Sequence, residues 1–344
     1  MSDATASSAG YDAAEEFHDK SSALKRMQGL LHAYPWLSPL IVLLVALIVF
    51  RQLSDNFATP SYLGTIVQQN AVVGVLAIGQ TLIILTAGID LSCGAIMVFA
   101  SMVMAKMTFD QGVPGLLSLI IGILLGALAG AFNGFVITKI KLPPFIVTLG
   151  SLGIFTSLTL LYATGRTISS RELAPELKWL GHRFDIGGFS LTSGVFFMLG
   201  LYAIFAYVLR YTAWGAHVYA VGDDPDAARL AGIQVNRVQI SVYIVAGIIF
   251  GLAGWTLIGR GSSASPNNGV DANLDSITAV VIGGTSLFGG RGRVIGSLIG
   301  ALIVGVVDSG LSVAKIDQNY KQLAIGALII VAVTADQWIR KARA

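Results

Sequence analysis

The residues best suited to bind a ligand in this 344-residue sequence are polar side chains that interrupt long apolar segments. Asn70 and Gln80 lie in one such segment, and Phe145 and Thr148 follow a Pro-Pro break at the start of another. A polar group in lipid is costly, so it usually faces a cavity or a neighbouring helix. Amides, hydroxyls and aromatic rings suit neutral, hydroxylated compounds. We predict that these four residues line a ligand pathway, with interhelical hydrogen bonding as the alternative for each.

Signatures of catalysis and of metal binding are missing from the sequence. It has no GxxxxGK[ST], HExxH, CxxC or GxSxG motif, and its four histidines are scattered through loops and tail. Its single cysteine, Cys93, excludes an intramolecular disulfide. No series of ionisable residues crosses the apolar segments, which argues against a proton relay or an ion-driven pump. We therefore expect no catalytic site, no metal site and no directly bound cofactor.

Composition places these residues in an integral membrane protein. Hydrophobic residues make up 54% of the chain, charged residues only 12%, and the mean hydropathy is +0.74. The charged share is about half that of a soluble domain, so lipid is the expected surrounding. The net charge of +3 is small and its basic residues are dispersed. This pattern indicates no nucleic-acid partner.

The apolar segments predict an all-α fold of about ten transmembrane helices. The predicted spans are residues 36–53, 62–86, 92–107, 115–138, 145–164, 190–210, 238–259, 275–289, 294–313 and 320–339. The third and eighth are short and flanked by glycine, so either could be re-entrant or broken. Gly122, Gly126, Gly130 and Gly134 recur at every fourth position of the fourth span. This ridge predicts close packing against another helix.

Lysines and arginines in the short loops place both termini in the cytoplasm. Residues 1–35 are predicted to be a cytoplasmic tail with a candidate interfacial helix, because they lack the layout of a cleavable signal peptide. Residues 36–339 form the predicted transmembrane domain, with a cytoplasmic loop at 211–237. Residues 340–344 form a short cytoplasmic tail.

A polar segment at 221–233, VGDDPDAARLAGI, is predicted to be a short, well-capped helix on the cytoplasmic side. Asp224 suits the N-cap, Pro225 the first helical position and Asp226 the positive end of the helix dipole. Gly232 suits the position just after the last turn. These caps indicate a surface that docks a partner, with an ordinary loop helix as the alternative.

A weak internal repeat relates the two halves of the chain. The stretch GILLGALAGAFNG from Gly122 is similar to IGSLIGALIVGVVDSG from Ile295, with Asn133 and Asp308 in related places. If spans two to five match spans seven to ten, the odd offset gives the halves opposite orientations. Such an inverted repeat is typical of transport proteins. Chance similarity among helices rich in Gly, Ala and Leu is the alternative.

Four motifs resemble the permeases of ribose-type monosaccharide ABC importers, and they occur in the family order. They are LTAGIDLSCGAIM (85–97), KLPPFIVTLGSLGI (141–154), YAVGDDPDAARLAGI (219–233) and LDSITAVVIGGTSLFGGRGRVIG (274–296). The resemblance extends from the first span to Trp338. Cys93 departs from a common valine, and Asp223-Asp224 from a common Gly-Asn pair. The Asp pair and AGWTLIGR (253–260) are most similar to fructose-type members.

The resemblance implies a cobalamin-importer-like, type II permease fold in the bacterial inner membrane. It implies a homodimer that contacts two cytoplasmic ABC ATPase subunits, which bind ATP and magnesium, and a periplasmic sugar-binding protein. In this family a loop helix couples the permease to the ATPase. In this sequence the coupling role falls on Asp223, Asp224, Pro225, Asp226, Ala227, Ala228, Arg229 and Leu230.

Two glycine-containing turns, GIDLS (88–92) and GGRGR (289–293), are predicted to be tight cytoplasmic connections, and either could also contact the ATPase. Asp90 could cap the third span. The expected function is transfer of a ribose- or fructose-type monosaccharide to the cytoplasm by alternating access, driven by the partner ATPase. Alternatives are a branched-chain amino-acid ABC permease, an ion-coupled secondary transporter, and a channel with ATP-independent downhill flux.

Overall fold

The computed structural model describes residues 36–269, 271–317, 320, 323 and 326–327. Its helices, in chain order, are α1 (Leu37–Leu53), α2 (Pro60–Leu85), α3 (Cys93–Gln111), α4 (Gly115–Phe135), α5 (Pro144–Ala163), α6 (Pro175–Lys178), α7 (Ser193–Tyr211), α8 (Ala213–Asp223), α9 (Pro225–Leu230), α10 (Val235–Gly261), α11 (Ala272–Ile282) and α12 (Val294–Val313). A π-helical turn, Val136–Ile140, extends α4, and a 3₁₀ turn, Trp179–Gly181, follows α6. Strands β1 (Arg183–Ile186) and β2 (Phe189–Thr192) form an antiparallel hairpin before α7.

Seven of these helices are long and apolar enough to cross a membrane, which confirms a mostly helical, membrane-spanning architecture. They are α2, α3, α4 with its π-helical extension, α5, α7, α10 and α12. Two further apolar helices, α1 and α11, have 17 and 11 residues. Eleven helical residues extend about 16 Å, roughly half the thickness of the hydrocarbon core. α11 therefore does not cross a bilayer by itself.

The eighth predicted span, residues 275–289, which the sequence left open as re-entrant or broken, is not one continuous helix. α11 ends at Ile282, where Gly283 and then Gly284, with φ of +85°, stop the helix. Residues 284–293 form a turn in which the Ser286 amide donates to the Arg291 carbonyl at 2.9 Å. Hydropathy missed this boundary because the sequence remains apolar beyond the two glycines.

The third and sixth predicted spans can also be compared with the helices of the structure. The third span, which the sequence left open as a broken segment, is a continuous helix of 19 residues. The sixth span begins too early, because residues 190–192 belong to β2 and the helix starts at Ser193. The predicted tails 1–35 and 340–344, and all but four residues of the predicted tenth span, lie outside the described residues.

The core of the bundle is centred on α2 and α10, and the predicted glycine ridge of α4 packs on α10. A Cβ on Gly126 would overlap the carbonyl oxygen of Gly247, and a Cβ on Gly130 would overlap that of Tyr243. Each glycine thus lets two backbones approach more closely than any side chain would permit. The ridge has the packing role that its spacing predicts.

The two ends of α2 mark two ends of the described bundle. Near its start, Gly64 lies against Ser190 of the hairpin. At its end, Leu85 lies against Gly222 and Gly290. Gly64 and Leu85 lie about 32 Å apart along this helix, so the two sets of contacts are separated by roughly the thickness of the hydrocarbon core. We call these the hairpin end and the α9 end.

Candidate functional site

The short helix α9 has the caps that its sequence predicts. The Asp224 carboxylate accepts the backbone amides of Asp226 at 2.9 Å and Ala227 at 3.0 Å, and Pro225 occupies the first turn. At the other end, the Gly232 amide donates to Arg229 and the Ile233 amide to Ala228, both at 3.0 Å. With φ of +84° at Gly232, this is a Schellman motif. A six-residue helix is therefore held at both termini.

The side chains of the predicted coupling segment divide into one inward residue and several outward ones. Ala228 is buried in the main core, whereas Leu230 is 90% exposed, more than any other large apolar side chain in the described residues. Arg229 and Asp226 form an exposed ion pair at 2.8 Å. Residues 223–227 are also exposed. Asp223 belongs to the end of α8 rather than to α9.

Close backbone contacts, in which glycines take part, join the α9 end to the bundle. The Gly290 amide donates to the Leu85 carbonyl at 3.0 Å, and a Cβ on Gly222 would overlap that same carbonyl oxygen. A Cβ on Gly290 would lie 2.7 Å from Cα of Asp223. We call Leu85, Gly222, Gly289 and Gly290 the glycine joint. It brings the end of α2, the end of α8 and the 284–293 turn into direct contact.

Tyr219 on α8 makes a second link to the same turn. Its hydroxyl donates to the Gly292 carbonyl at 2.9 Å. Burial raises the pKa of the Tyr219 phenol, with a smaller opposing effect from Arg293, so the hydroxyl stays protonated as this bond requires. The predicted GGRGR turn is thus fixed beside α9 in space, although the two lie some sixty residues apart in the chain.

The GIDLS connection follows α2 and places its two polar side chains inside the bundle. Asp90 is 1% exposed and Ser92 is fully buried. The Asp90 carboxylate accepts the Ser92 amide at 2.7 Å and the Ser92 hydroxyl at 2.6 Å. Asp90 therefore forms a turn just before α3 and does not cap that helix as predicted, because the N-cap position belongs to Ser92.

A buried polar network extends from this connection to three other helices. The Asn133 amide group donates to the Ser92 hydroxyl at 3.0 Å, and its oxygen accepts the Ser151 hydroxyl at 2.5 Å. On the other side, Cys93 lies 3.6 Å from the Ser276 hydroxyl. The network thus links α3, α4, α5 and α11 through hydrogen-bonding groups. Satisfied buried polar groups of this kind favour one arrangement of the helices.

The four predicted pathway residues do not form one site. The Asn70 amide donates to the Ala301 carbonyl, which joins α2 to α12. The Gln80 amide donates to the Asp90 carbonyl, and the Thr148 hydroxyl donates to the Ile89 carbonyl at 3.1 Å. Phe145 is 50% exposed on the outer face of α5. The structure thus brings Gln80 and Thr148 to the GIDLS connection and leaves Asn70 and Phe145 elsewhere.

Sequence reasoning missed Ser151 and Ser276, which complete the network. Neither residue stands out locally, because serine is common in membrane helices and its partner here is 18 or more residues distant. Within the part of the chain that the structure describes, no group of three or more His, Cys, Asp or Glu side chains could hold a metal ion. The polar contacts of the candidate site are hydrogen bonds between helices, together with hydrogen bonds and one exposed ion pair at the α9 end.

Comparison with known proteins places this architecture in a family. Residues 62–333 match the family described as the permease component of the branched-chain amino acid transport system. The chain belongs to this permease family. The match covers most of the sequence, including nearly all of α2 and every element from α3 to α12.

Several relatives of this permease are similar over nearly their whole length. The fructose import permease protein FrcC of Rhizobium meliloti is 49% identical over all of this chain and 95% of its own. The ribose import permease protein RbsC of Bacillus subtilis is 38% identical, with 88% and 92% covered. The L-arabinose ABC transporter permease protein AraH of Azospirillum brasilense is 30% identical, with 88% of each covered. No solved structure matches the chain significantly.

Proposed function

We propose that this permease is the membrane subunit of an ATP-driven ABC importer that passes a monosaccharide of the fructose or ribose type to the cytoplasm. The identity of 49% to a fructose import permease over the full chain supports fructose as the first sugar to test. Ribose and arabinose permeases follow at lower identity. In this proposal the chain has no catalytic site, and partner ATPase subunits bind ATP and magnesium.

The observation that carries the proposal is the exposure of Leu230 on a helix that is capped at both ends. A large apolar side chain that is 90% exposed buries little surface against the described chain, whereas the caps hold its helix in a fixed position. Acidic side chains surround the start of the same helix. This combination suits a rigid coupling helix that inserts into a groove of an ATPase subunit. In the proposal, residues 211–237 are the cytoplasmic loop that presents it.

The glycine joint supports a route for alternating access. Closure of the ATPase subunits would displace α9, and the contacts of Gly222 and Gly290 with Leu85 would pass that displacement to α2. α2 carries Gln80, which is bonded to the GIDLS connection and so to the buried network. Because packed interfaces switch between discrete arrangements, a small displacement at α9 can change which side of the bundle is open.

The finer architecture belongs to the same proposal. It comprises ten spans, a type II importer fold, an inverted repeat, a homodimer and both termini in the cytoplasm of a bacterial inner membrane. One feature supports the repeat: both glycine-rich helices, α4 and α12, are followed by a lysine with positive φ, Lys141 at +62° and Lys315 at +56°. We still propose that Phe145 lines the pathway. Asn70, Gln80 and Thr148 would shape the pathway indirectly, through the hydrogen bonds that they make to other segments.

Reconstitution tests the proposal directly. The permease is placed in liposomes with its ATPase and its sugar-binding protein, and uptake of labelled fructose, ribose and leucine is measured with and without ATP. We expect ATP-dependent uptake of a monosaccharide. Leucine uptake would instead favour a branched-chain amino-acid permease, and ion-driven uptake without the ATPase would favour a secondary transporter.

A matched pair of variants tests the docking role of α9. Leu230→Asp should abolish stimulated ATP hydrolysis and uptake, because a charge cannot enter an apolar groove without a large desolvation cost. Leu230→Met keeps the apolar character and should retain both activities. Both variants should fold, since the position is exposed. Normal coupling in Leu230→Asp would contradict the assignment of α9.

A further inference from the structure

The β1–β2 hairpin has one apolar face and one polar face. Phe184 is paired with Leu191 and Ile186 with Phe189, and directly opposed residues in an antiparallel pair project from the same side. The exposed fractions of Phe184, Ile186 and Phe189 are 41%, 55% and 39%. These three side chains form what we call the hairpin patch. A contiguous exposed apolar patch with a polar rim is typical of a surface that contacts lipid or protein.

The polar side of the hairpin consists of Arg183, Asp185, Ser190 and Thr192. Gln68 of α2 donates its amide to the Ser190 carbonyl, and Gly64 lies against the Ser190 backbone. The hairpin is therefore fixed to the first turns of α2 through β2. These contacts with α2 set the orientation of the hairpin. In this orientation the hairpin patch is exposed.

The hairpin patch is continuous with the exposed apolar face of α7. The rings of Phe184 and Phe196 meet edge to face, with centroids 6.0 Å apart. From Phe196 the exposed face of α7 continues through Leu199, Ile204 and Tyr207, whose exposed fractions range from 43% to 62%. Because α7 is long and apolar enough to cross a membrane, this face is one that lipid covers. The hairpin patch extends the same surface past the start of the helix.

The position of the hairpin corresponds to the depth at which membrane proteins carry aromatic residues. β2 runs directly into α7, so the hairpin lies at the end of a span. At the same end of the bundle, the Trp179 and Trp255 rings stack with centroids 6.2 Å apart, and Trp179 is 58% exposed. Tryptophan and tyrosine concentrate at the boundary between hydrocarbon and water because they combine an apolar ring with a polar edge, so the tryptophan pair marks the depth of that boundary beside the hairpin.

We propose that the β1–β2 hairpin is a membrane-interface anchor whose apolar patch of Phe184, Ile186 and Phe189 lies in the bilayer surface beside α7. Lipid covers such a patch continuously. A transient protein partner would leave the patch exposed to water whenever it dissociated. The patch also has no charged group that such a partner could recognise. The charged residues of the hairpin, Arg183 and Asp185, lie on the opposite face. The anchor fixes the depth of the segment that joins α6 to α7.

Spin-labelled lipid provides a test in the full-length protein. Ile186→Cys is labelled with an environment-sensitive fluorophore, and the protein is placed in phosphatidylcholine vesicles that contain phosphatidylcholine with a nitroxide near the headgroup. The native Cys93 is buried and leaves the background low. A probe held ~5–10 Å into the boundary region should be quenched, and more strongly as the share of nitroxide lipid rises. Phe184→Cys should behave in the same way.

Asp185→Cys is the matched control, since it sits between the two test positions but on the polar face of β1. It should keep its fluorescence. Equal quenching at positions 185 and 186, or none at 186, would overturn the proposal. If the sugar-binding protein shields position 186 and lipid does not quench it, the patch docks that protein instead. If quenching at 186 disappears as the protein-to-lipid ratio is raised, the patch belongs to a contact with a second copy.

Discussion

The backbone amide of Gly290 donates a hydrogen bond of 3.0 Å to the carbonyl oxygen of Leu85. This bond connects the turn after α11 to the last residue of α2, one of the most buried helices of the bundle. Gly222, at the end of α8, lies against the same carbonyl. Movement of α8 relative to this turn must therefore be accommodated at Leu85, because no flexible side chain separates the three backbones.

The variant Gly222→Ala tests this contact. A Cβ at this position would overlap the Leu85 carbonyl oxygen and lie 2.6 Å from the Gly290 amide nitrogen. Since both neighbours are backbone atoms, the segments must separate, and overpacking of this kind costs about 1–3 kcal/mol or more. We expect a lower melting temperature and weaker stimulation of the ATPase, measured on purified complexes.

Gly150→Ala is the control for that variant. Gly150 lies on the exposed face of α5, where an added Cβ meets nothing within 4 Å. Because alanine favours helix by about 1 kcal/mol relative to glycine, stability should be unchanged or higher. A Gly222→Ala protein as stable and as well coupled as Gly150→Ala would show that the glycine joint is not tight.

Tyr219→Phe removes the hydrogen bond from α8 to the Gly292 carbonyl. Loss of one bond of this kind costs about 0.5–1.5 kcal/mol, with a further cost for a partly buried carbonyl left without its donor. The expected result is a modest fall in melting temperature and faster amide exchange in the 284–293 turn. Tyr207→Phe is the comparison, because Tyr207 is 62% exposed on α7. Equal effects in the two variants would argue against a link between α8 and the turn.

Much of the fold could be predicted from the sequence because apolar runs and helix caps are local signals. The spans that became α2, α4, α5, α10 and α12 were located within a few residues. The end of α11 was missed because two glycines, rather than a polar residue, terminate it. The hairpin was also missed, although its signal is local: Phe184 and Ile186 alternate with polar residues, and Gly187-Gly188, both with positive φ, supply the turn.

In the candidate site, too, features that depend on nearby residues were predictable and contacts between distant segments were not. Asp224, Pro225 and Gly232 were predictable because a cap depends only on residues a few positions apart. The partners of Asn70, Gln80 and Asn133 were not predictable, because each lies on another segment and composition carries no information about which helices meet. The sequence identifies polar side chains that need partners, but tertiary packing alone decides what the partners are.

Asp224 offers a way to separate the cap from the charge. Asp224→Ala loses the acceptor for two backbone amides, which costs about 1 kcal/mol and should raise exchange of the Asp226 and Ala227 amides about fivefold. Asp224→Asn keeps an acceptor oxygen and should leave exchange close to that of the wild type. Hydrogen exchange with mass spectrometry on peptides covering α9 measures both variants.

ATPase stimulation by the same two variants shows what the partner recognises. If docking requires only an ordered helix, Asp224→Asn should retain stimulation and Asp224→Ala should lose part of it. Loss of ATPase stimulation in Asp224→Asn despite normal amide hydrogen exchange would instead show that the ATPase recognises the negative charge. Unchanged exchange in Asp224→Ala would contradict the capping geometry itself.

Asp90 should tolerate asparagine far better than leucine. Asn retains an oxygen that can accept the Ser92 amide and hydroxyl, whereas leucine leaves these buried donors without an acceptor. Each unsatisfied buried group costs about 1–3 kcal/mol. We therefore expect Asp90→Leu to lower the melting temperature in detergent strongly and Asp90→Asn to lower it slightly. Comparable losses in both variants would mean that the carboxylate charge, rather than the acceptor geometry, stabilises the network.

Cys93 should be unreactive in the folded protein. Its side chain is fully buried, with Gln80 at 3.2 Å and Ser276 at 3.6 Å from the sulfur. Only an accessible thiolate reacts readily with maleimide, so labelling should be negligible in native vesicles and complete in denaturant. Mass spectrometry of the intact protein measures both. Rapid labelling of the native protein would show that the connection between α2 and α3 opens to water, and the network around Asp90 would then be a mobile part of the bundle rather than a fixed one.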